Sequence, residues 1–250
     1  MRAPGGLSVR CESVTHAYAA EGDAVLALDG VDLEIGAGET VALLGPSGSG
    51  KSTLLALLAG LLRPTAGRLC VGSHDVHRMT ERELLGMRSL DVGIVLQNPG
   101  RNLLAYASAL DNVAFAQLAG RQRRRSPSRS AMALLETLGL AAVAGARAGL
   151  LSGGEQQRLA LAVGLANGAG RLLADEPTSQ LDGANRDSVV SLFQAANVEF
   201  GTTLVVVTHD PEIGRALDRT VGLRDGRVRT DLTLDPGRPP AAGRRSAPHR

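Results

Sequence analysis

Several residue types are scarce in this chain, and each scarcity narrows what it can be. There is no tryptophan, and only two tyrosines and three phenylalanines occur in 250 residues. The two cysteines, Cys11 and Cys70, form no C-x-x-C and no metal-clasping spacing. A disulfide framework and a zinc module are therefore excluded, and two core thiols in a reducing compartment are expected. The formal net charge of +2 lacks the broad basic field of a nucleic-acid binder, although the pI of 8.8 is mildly basic. The longest clean apolar run, Leu54 to Leu62, is far shorter than the roughly 20 residues that cross a bilayer. Met1 to Arg10 contain no apolar core of a secretory leader. These absences predict a cytoplasmic protein that reaches a membrane only through a partner. Lysine is the scarcest basic residue: of 27 Lys and Arg, only Lys51 is lysine.

Lys51 occupies the seventh position of Gly45-Pro46-Ser47-Gly48-Ser49-Gly50-Lys51-Ser52-Thr53. That spacing, G-x-x-x-x-G-K-[ST], is a phosphate-binding P-loop. Glycines at 45, 48 and 50 permit conformations that a Cβ would block, so successive N–H groups can turn inward on an anion. Lysine adds a compact charge on a flexible stem, where arginine would bring a bulky planar fork. Thr40 to Leu44 read as a buried parallel strand before the loop, and Ser52 to Leu62 as a leucine-rich buried helix after it.

At 250 residues, with 44% hydrophobic and 21% charged content, the chain is one large domain or one domain with a subdomain. Strands are predicted over Leu7–His16, Leu26–Ile35, Thr40–Leu44, Gly67–Val71, Val92–Gln97, Leu172–Asp175, Leu204–Thr208 and Val221–Leu223. Helices are predicted over Ser52–Leu62, Glu81–Met87, Asp111–Leu118, Ser130–Leu138, Gly154–Leu165 and Ala184–Phe200. The alternation argues for an α/β fold. Residues from about 98 to 168 are Ala/Leu-rich without a convincing strand and read as an inserted helical subdomain. Arg121 to Arg129 form a basic break, expected as a solvated loop, with contact to anionic lipid or an acidic partner as the other reading. The run after residue 230 is rich in Pro, Gly and Arg and is expected to be a disordered tail. No internal repeat is visible.

Two further segments carry chemistry. Leu172 to Glu176 form an apolar strand that delivers two carboxylates at its C-terminal end, where open α/β sheets bind ligands. Asp175 there suits a magnesium ion, and Glu176 an attacking water. Alone, the pair would serve equally as an N-cap before the next helix. Leu151 to Arg158 place Ser152 at a helix start with Glu155 three residues on, a capping box. Capping does not explain Gly153 and Gly154, which each lower helix propensity by about 1 kcal/mol.

LSGGE at 151–155, GPSGSGKS at 45–52 and LLADEP at 172–177 together resemble the ATP-binding cassette (ABC) ATPases. The resemblance spans residues 7 to 230, and the LSGGE segment is its most specific part. It implies a P-loop NTPase core with a mostly parallel sheet, an N-terminal antiparallel β-subdomain and an inserted helical signature subdomain. ATP and Mg²⁺ are the implied ligands. Tyr18 matches the adenine-stacking aromatic, and Gln97 the glutamine that reaches Mg²⁺ and water. Ser179 to Asp182 match the loop that bridges two subunits, with Asp182 its acidic member. His209 matches the switch histidine that contacts the γ-phosphate.

In that family Ser152, Gly153, Gly154 and Glu155 face the nucleotide of a second copy, so two ATPs are sandwiched head to tail. Ser52, Gln97 and Asp175 are the implied metal residues, and Glu176, His209 and Gln97 the catalytic ones. The implied partner is a separately encoded integral membrane permease, which places the chain on the inner face of the cell membrane; no nucleic acid is expected. The motifs look most like the lipoprotein-releasing and macrolide-exporter branch. A small-solute importer and a non-transport regulator of a membrane or cell-wall partner are the alternatives. The chain departs from the family pattern in three places: the run Ala162 to Leu165, Arg171 where an apolar residue is usual, and Gln180.

Overall fold

A computed structural model describes residues 6–19, 23–122, 129–178 and 183–233. Two sheets share the work. The first is antiparallel and built from β1 (Val9–Ala19), β2 (Ala24–Ile35), β4 (Ala66–Val71) and the two-residue β5 (His74–Asp75), in the order β2-β1-β4-β5. The second has six strands. Its chain-order members are β3 (Thr40–Leu44), β6 (Val92–Val95), β7 (Arg171–Asp175), β8 (Thr203–Thr208), β9 (Arg219–Arg224) and β10 (Arg227–Thr233). Their spatial order is β10-β9-β3-β8-β7-β6, with β9 to β6 parallel and β10 antiparallel at the edge.

The central parallel strands β3, β7 and β8 read as near-continuous apolar runs because both faces are buried. Val41, Leu43, Leu173, Val205 and Val207 face the core shared with the antiparallel sheet. Their neighbours Ala42, Leu172, Ala174, Leu204 and Val206 face a second core, which extends into the helical layer. The period of two thus divides one set of strands between two cores.

Helix α1 (Lys51–Leu58) buries Leu54, Leu55, Leu57 and Leu58 in the first core. It ends four residues before the predicted Leu62. Gly60 adopts φ 67°, its N–H reaches the Leu57 carbonyl, and the Leu61 N–H reaches Ala56 at 2.9 Å. This is a Schellman stop, which leucine periodicity alone does not reveal. Helix α2 (Glu81–Leu90) starts at a Thr80–Glu83 capping box.

The inserted helical subdomain holds α3 (Ala109–Gln122) and α4 (Ala131–Thr137), and α5 (Gly153–Leu165) ties it to β6. As predicted, the region contains no strand among the described residues, only an isolated bridge between Ser108 and Arg147. Helices α6 (Gly183–Phe200) and α7 (Pro211–Ala216) flank β8.

The sequence reading omitted β5, α7 and β10. Described strand structure runs to Thr233, past the expected boundary at 230, because β10 pairs with β9 through an Asp225-Gly226 turn. Of the basic break, Arg121 and Gln122 belong to the end of α3 rather than to a loop, and beyond it Arg129 is described. Its guanidinium pairs with Glu199, donates to Thr137 Oγ1 at 3.1 Å and lies 4.9 Å above the Phe200 ring. Residues 123–128, 179–182 and 234–250 lie outside the described residues, so the tail and the expectations for Gln180 and Asp182 have no structural counterpart. No helix among the described residues is long and apolar enough to cross a membrane.

Candidate functional site

Sheet register assembles the site. In the parallel ladder Leu44 lies beside Thr208, Asp175 beside Val207, and Val95 beside Ala174. The residues that follow these strand ends therefore emerge along one edge: Gly45, Gln97, Glu176 and His209. A cleft of about 520 Å³ opens there, a size that takes a small ligand. Ser47, Gly48, Gly50, Lys51, Ser52, Thr53, Gln97, Asp175, Glu176 and His209 line it, together with Ala27 and Val207.

The P-loop is wedged against its neighbours. A Cβ on Gly45 would stand 2.2 Å from the Leu223 carbonyl oxygen, so glycine is required. Gly50 has φ 99° and caps α1 without a side chain, which leaves the helix N-terminus open toward the cleft. Lys51 is 8% exposed, and its Nζ donates to the carbonyls of Gly45 and Pro46 at 2.7 and 2.8 Å. These carbonyls hold the ammonium at the floor of the loop. The Gly226 N–H donates to the Ser49 carbonyl at 3.1 Å, so the β9–β10 turn buttresses the loop from behind. That support went unread in the sequence, although the Asp-Gly pair marks a tight turn.

The two carboxylates differ. Asp175 is half-buried, and its acid is held above the usual range by desolvation first and by the neighbouring Glu176 second, with Lys51 opposing. Glu176 adopts φ 46°, uncommon for a residue with a side chain. Its N–H reaches the Val207 carbonyl at 2.8 Å, which pins the bend. His209 Nδ1 faces its carboxylate oxygens at 3.0 and 2.9 Å. Thr208, which the sequence reading did not single out, lies beneath this pair. Its hydroxyl accepts from the Asp210 N–H at 3.1 Å.

Among the described residues no three His, Cys, Asp or Glu side chains form a metal cluster. The three residues expected at a metal, Ser52 (a hydroxyl), Gln97 (an amide) and Asp175 (a carboxylate), all line the cleft, beside Glu176 and the hydroxyls of Ser47 and Thr53. That set fits a cation which keeps few protein ligands and takes the rest from phosphate oxygens, as magnesium does.

Tyr18 lies on β1 outside the cleft lining, with its hydroxyl 3.2 Å from Thr53 Oγ1 and 42% of the residue exposed. Ser152 to Glu155 are not in the cleft. Ser152 caps α5, and the Glu155 carboxylate receives both the Ser152 N–H at 2.8 Å and its hydroxyl at 2.6 Å. The hydroxyl, then the N–H, hold the Glu155 acid below its usual range. Nothing lies within 4 Å of a Cβ built on Gly153, and only Arg158 Nη1, at 3.8 Å, near one on Gly154. The chain's own fold does not require glycine at either position.

A P-loop at a helix N-terminus, on the C-terminal edge of a parallel sheet that ends in Asp-Glu, defines a nucleotide-hydrolysing P-loop NTPase. Residues 28–179 match the ABC transporter family. The chain belongs to that family and carries its ATPase domain. Over 221 residues it is 39% identical to the lipoprotein-releasing system ATP-binding protein LolD of Granulibacter bethesdensis, covering 88% of this chain and 96% of that one. Over 208 residues it is 46% identical to the macrolide export ATP-binding/permease protein MacB of Rhodopirellula baltica, covering 82% of this chain and 30% of that one. The chain thus spans under a third of that exporter and nearly all of the lipoprotein-releasing protein. Among solved structures, a dimeric bacterial ABC transporter cassette superposes with TM-score 0.78 at 34% identity, covering 91% of this chain and 99% of that one. A dimeric cassette in a post-hydrolysis state, bound to ADP and Pi, gives 0.77 at the same identity and coverage.

Proposed function

We propose that this chain binds Mg·ATP in the cleft beside Lys51 and hydrolyses the γ-phosphate to drive a separately encoded permease of the export type. The observation that carries the reading is the Glu176–His209 pair in the same cleft as Lys51. Lys51 and the loop amides hold the phosphates. Ser52, Gln97 and Asp175 would hold magnesium, which would supply neutralisation of phosphate charge. Glu176 accepts the proton of the attacking water, and His209 fixes the orientation of its carboxylate. Tyr18 offers its ring to the base, for which stacking contributes about 1–3 kcal/mol elsewhere.

Ser152, Gly153, Gly154 and Glu155 face a nucleotide held by a second copy. The support is that neither glycine is forced by the fold: a Cβ on Gly153 would meet open space and one on Gly154 only the Arg158 side chain. Asp182 belongs to the same interface on motif grounds alone. The permease docks where Leu104, Tyr106, Phe115 and Leu118 line an apolar groove of about 630 Å³, with Tyr106 77% and Phe115 63% exposed. Aromatic residues so exposed mark an interaction surface. The chain then works on the inner face of the cell membrane. Export rather than import is supported by the lipoprotein-releasing and macrolide-export relatives.

The test is to isolate the chain from its native membrane and identify what accompanies it, with Phe115→Asp as control. A permease lost on Phe115→Asp is expected. A permease retained by Phe115→Asp would reject the docking face, and a chain that hydrolyses ATP fully with no membrane protein accompanying it would reject the permease.

A further inference from the structure

His16 has no place in the chemistry above, yet it is 7% exposed and sits two residues from Tyr18 on β1. The two rings meet nearly perpendicular, at 83°, with centroids 4.8 Å apart. That edge-to-face geometry is attractive rather than a chance approach. His16 Nδ1 is 2.9 Å from the carbonyl oxygen of Arg63. A carbonyl only accepts, so Nδ1 carries the proton and the imidazole plane is fixed. Arg63 is itself tied down: its guanidinium donates to the carbonyls of Val76 and His77 at 3.2 Å and to Glu81 at 2.9 Å. Tyr18 is therefore held at its ring by His16 and at its hydroxyl by Thr53, just after the P-loop lysine.

We propose that His16 is a positioning residue for nucleotide binding: it holds the Tyr18 ring in its base-stacking attitude before the base arrives. This rests on the reading of Tyr18 as the base platform. An exposed tyrosine loses rotamer freedom when a ligand stacks on it, and a ring already held loses less. The ordering cost of such a side chain corresponds to about 2- to 10-fold in affinity.

The experiment measures KM for Mg·ATP and kcat in the full chain carrying His16→Gln, His16→Phe, Tyr18→Leu or the double change His16→Gln/Tyr18→Leu. Gln keeps a donor for the Arg63 carbonyl and removes the ring, whereas Phe keeps a ring edge. His16→Gln is expected to raise KM about 2- to 10-fold while kcat moves less than twofold. His16→Phe should recover most of that loss. In the Tyr18→Leu background His16→Gln should have no further effect, because the ring it positions is gone.

An unchanged KM in His16→Gln, or the same rise with and without Tyr18, would overturn the proposal and leave the platform reading intact. If Tyr18→Leu itself leaves KM unchanged, the platform reading fails and this inference with it. Should His16→Gln not fold, ¹⁹F spectra of fluorotyrosine-labelled wild type and His16→Phe decide. The chain has two tyrosines, so Tyr18 is resolved from Tyr106. Without nucleotide a Tyr18 signal shifted from free fluorotyrosine and broader than that of the exposed Tyr106 is expected in both, and a wild-type Tyr18 signal as narrow as that of Tyr106 and at the free fluorotyrosine position would refute the proposal.

Discussion

His209 Nδ1 stands 3.0 and 2.9 Å from the two carboxylate oxygens of Glu176, so one imidazole straddles one carboxylate. The carboxylate is mostly covered, with 18% of its side chain exposed, while the histidine is 67% exposed. The proton acceptor is thus sheltered, and its orienting partner is reachable from solvent. Glu176→Gln preserves shape and removes basicity. It should still bind ATP and lower turnover by about 10²–10⁴-fold. His209→Ala should lower turnover while leaving nucleotide affinity within a few fold. The backbone gives a control. At φ 46° Glu176 bears a left-handed cost of about 1–2 kcal/mol that glycine avoids, against about 0.5–1 kcal/mol of added chain entropy. Glu176→Gly should therefore abolish turnover without lowering the thermal midpoint. A midpoint several degrees below wild type would show that the side chain, not the bend, stabilises this turn.

Asp175 should reveal itself through pH. Desolvation, then Glu176, raise its acid in the folded chain above the unfolded value, against the pull of Lys51. The folded state then binds the proton more tightly than the unfolded one. Its stabilising share is complete below the ordinary carboxylate range and disappears as pH rises through the raised value. At neutral pH the charged Asp175 is a net burden on the nucleotide-free fold. Asp175→Asn should raise the melting midpoint of the free protein at pH 7, flatten its decline with rising pH, and abolish magnesium-dependent turnover. A lower midpoint for Asp175→Asn at neutral pH would contradict this.

Much of the site was legible because its chemistry is local. Lys51 and its glycines occupy one nine-residue segment, Asp175-Glu176 ends one apolar strand, and Ser152-Glu155 is a capping box visible as S-x-x-E. Harder to read was whatever depends on a distant neighbour. The early end of α1 depends on a left-handed Gly60 against Met87, whose methyl would stand 2.4 Å from an added Cβ. Strand β10 is a mostly polar edge: its only apolar residues are Val228, which packs on a core, and the exposed Leu232, too few to announce a strand. The support of Ser49 by Gly226 joins residues far apart in sequence, and no periodicity records it. The same holds for His16 and Arg63, which meet where β1 pairs with the start of β4, Thr15 beside Ala66.

Arg171 departs from the apolar residue usual at its position, and the structure shows the consequence. It is fully buried at the start of β7, and none of its three guanidinium nitrogens has a hydrogen-bond partner among the described residues. Burial pulls its pKa down to about 10, with Asp91 and then Cys11 opposing. It stays charged at neutral pH, in an interior that gives it no direct partner. Replacing buried charge by an apolar side chain of similar length is neutral or stabilising by about 1–4 kcal/mol elsewhere. Arg171→Met should raise the denaturation midpoint without changing turnover, since β7 keeps its ladder and the carboxylates lie at its other end. A loss of stability would mean that the guanidinium supports the junction of β6, β7 and β1.

Lys51 is the only lysine in an arginine-rich chain, so amine chemistry can address it with only the chain's amino terminus as background. Its ammonium is 8% exposed and held by the carbonyls of Gly45 and Pro46. Acylation of Lys51 should therefore be slower in the free folded protein than in the denatured chain. Saturating Mg·ATP should slow it several-fold further. Lys51→Arg tests the fit. Its charge is unchanged, but a planar fork cannot settle between two carbonyls 2.7 and 2.8 Å from a compact ammonium. ATP binding should fall at least tenfold, with folding intact by circular dichroism. If Lys51→Arg binds ATP as wild type does, or labelling of Lys51 ignores saturating ATP, the lysine is not the phosphate contact and the cleft must hold its ligand in some other way.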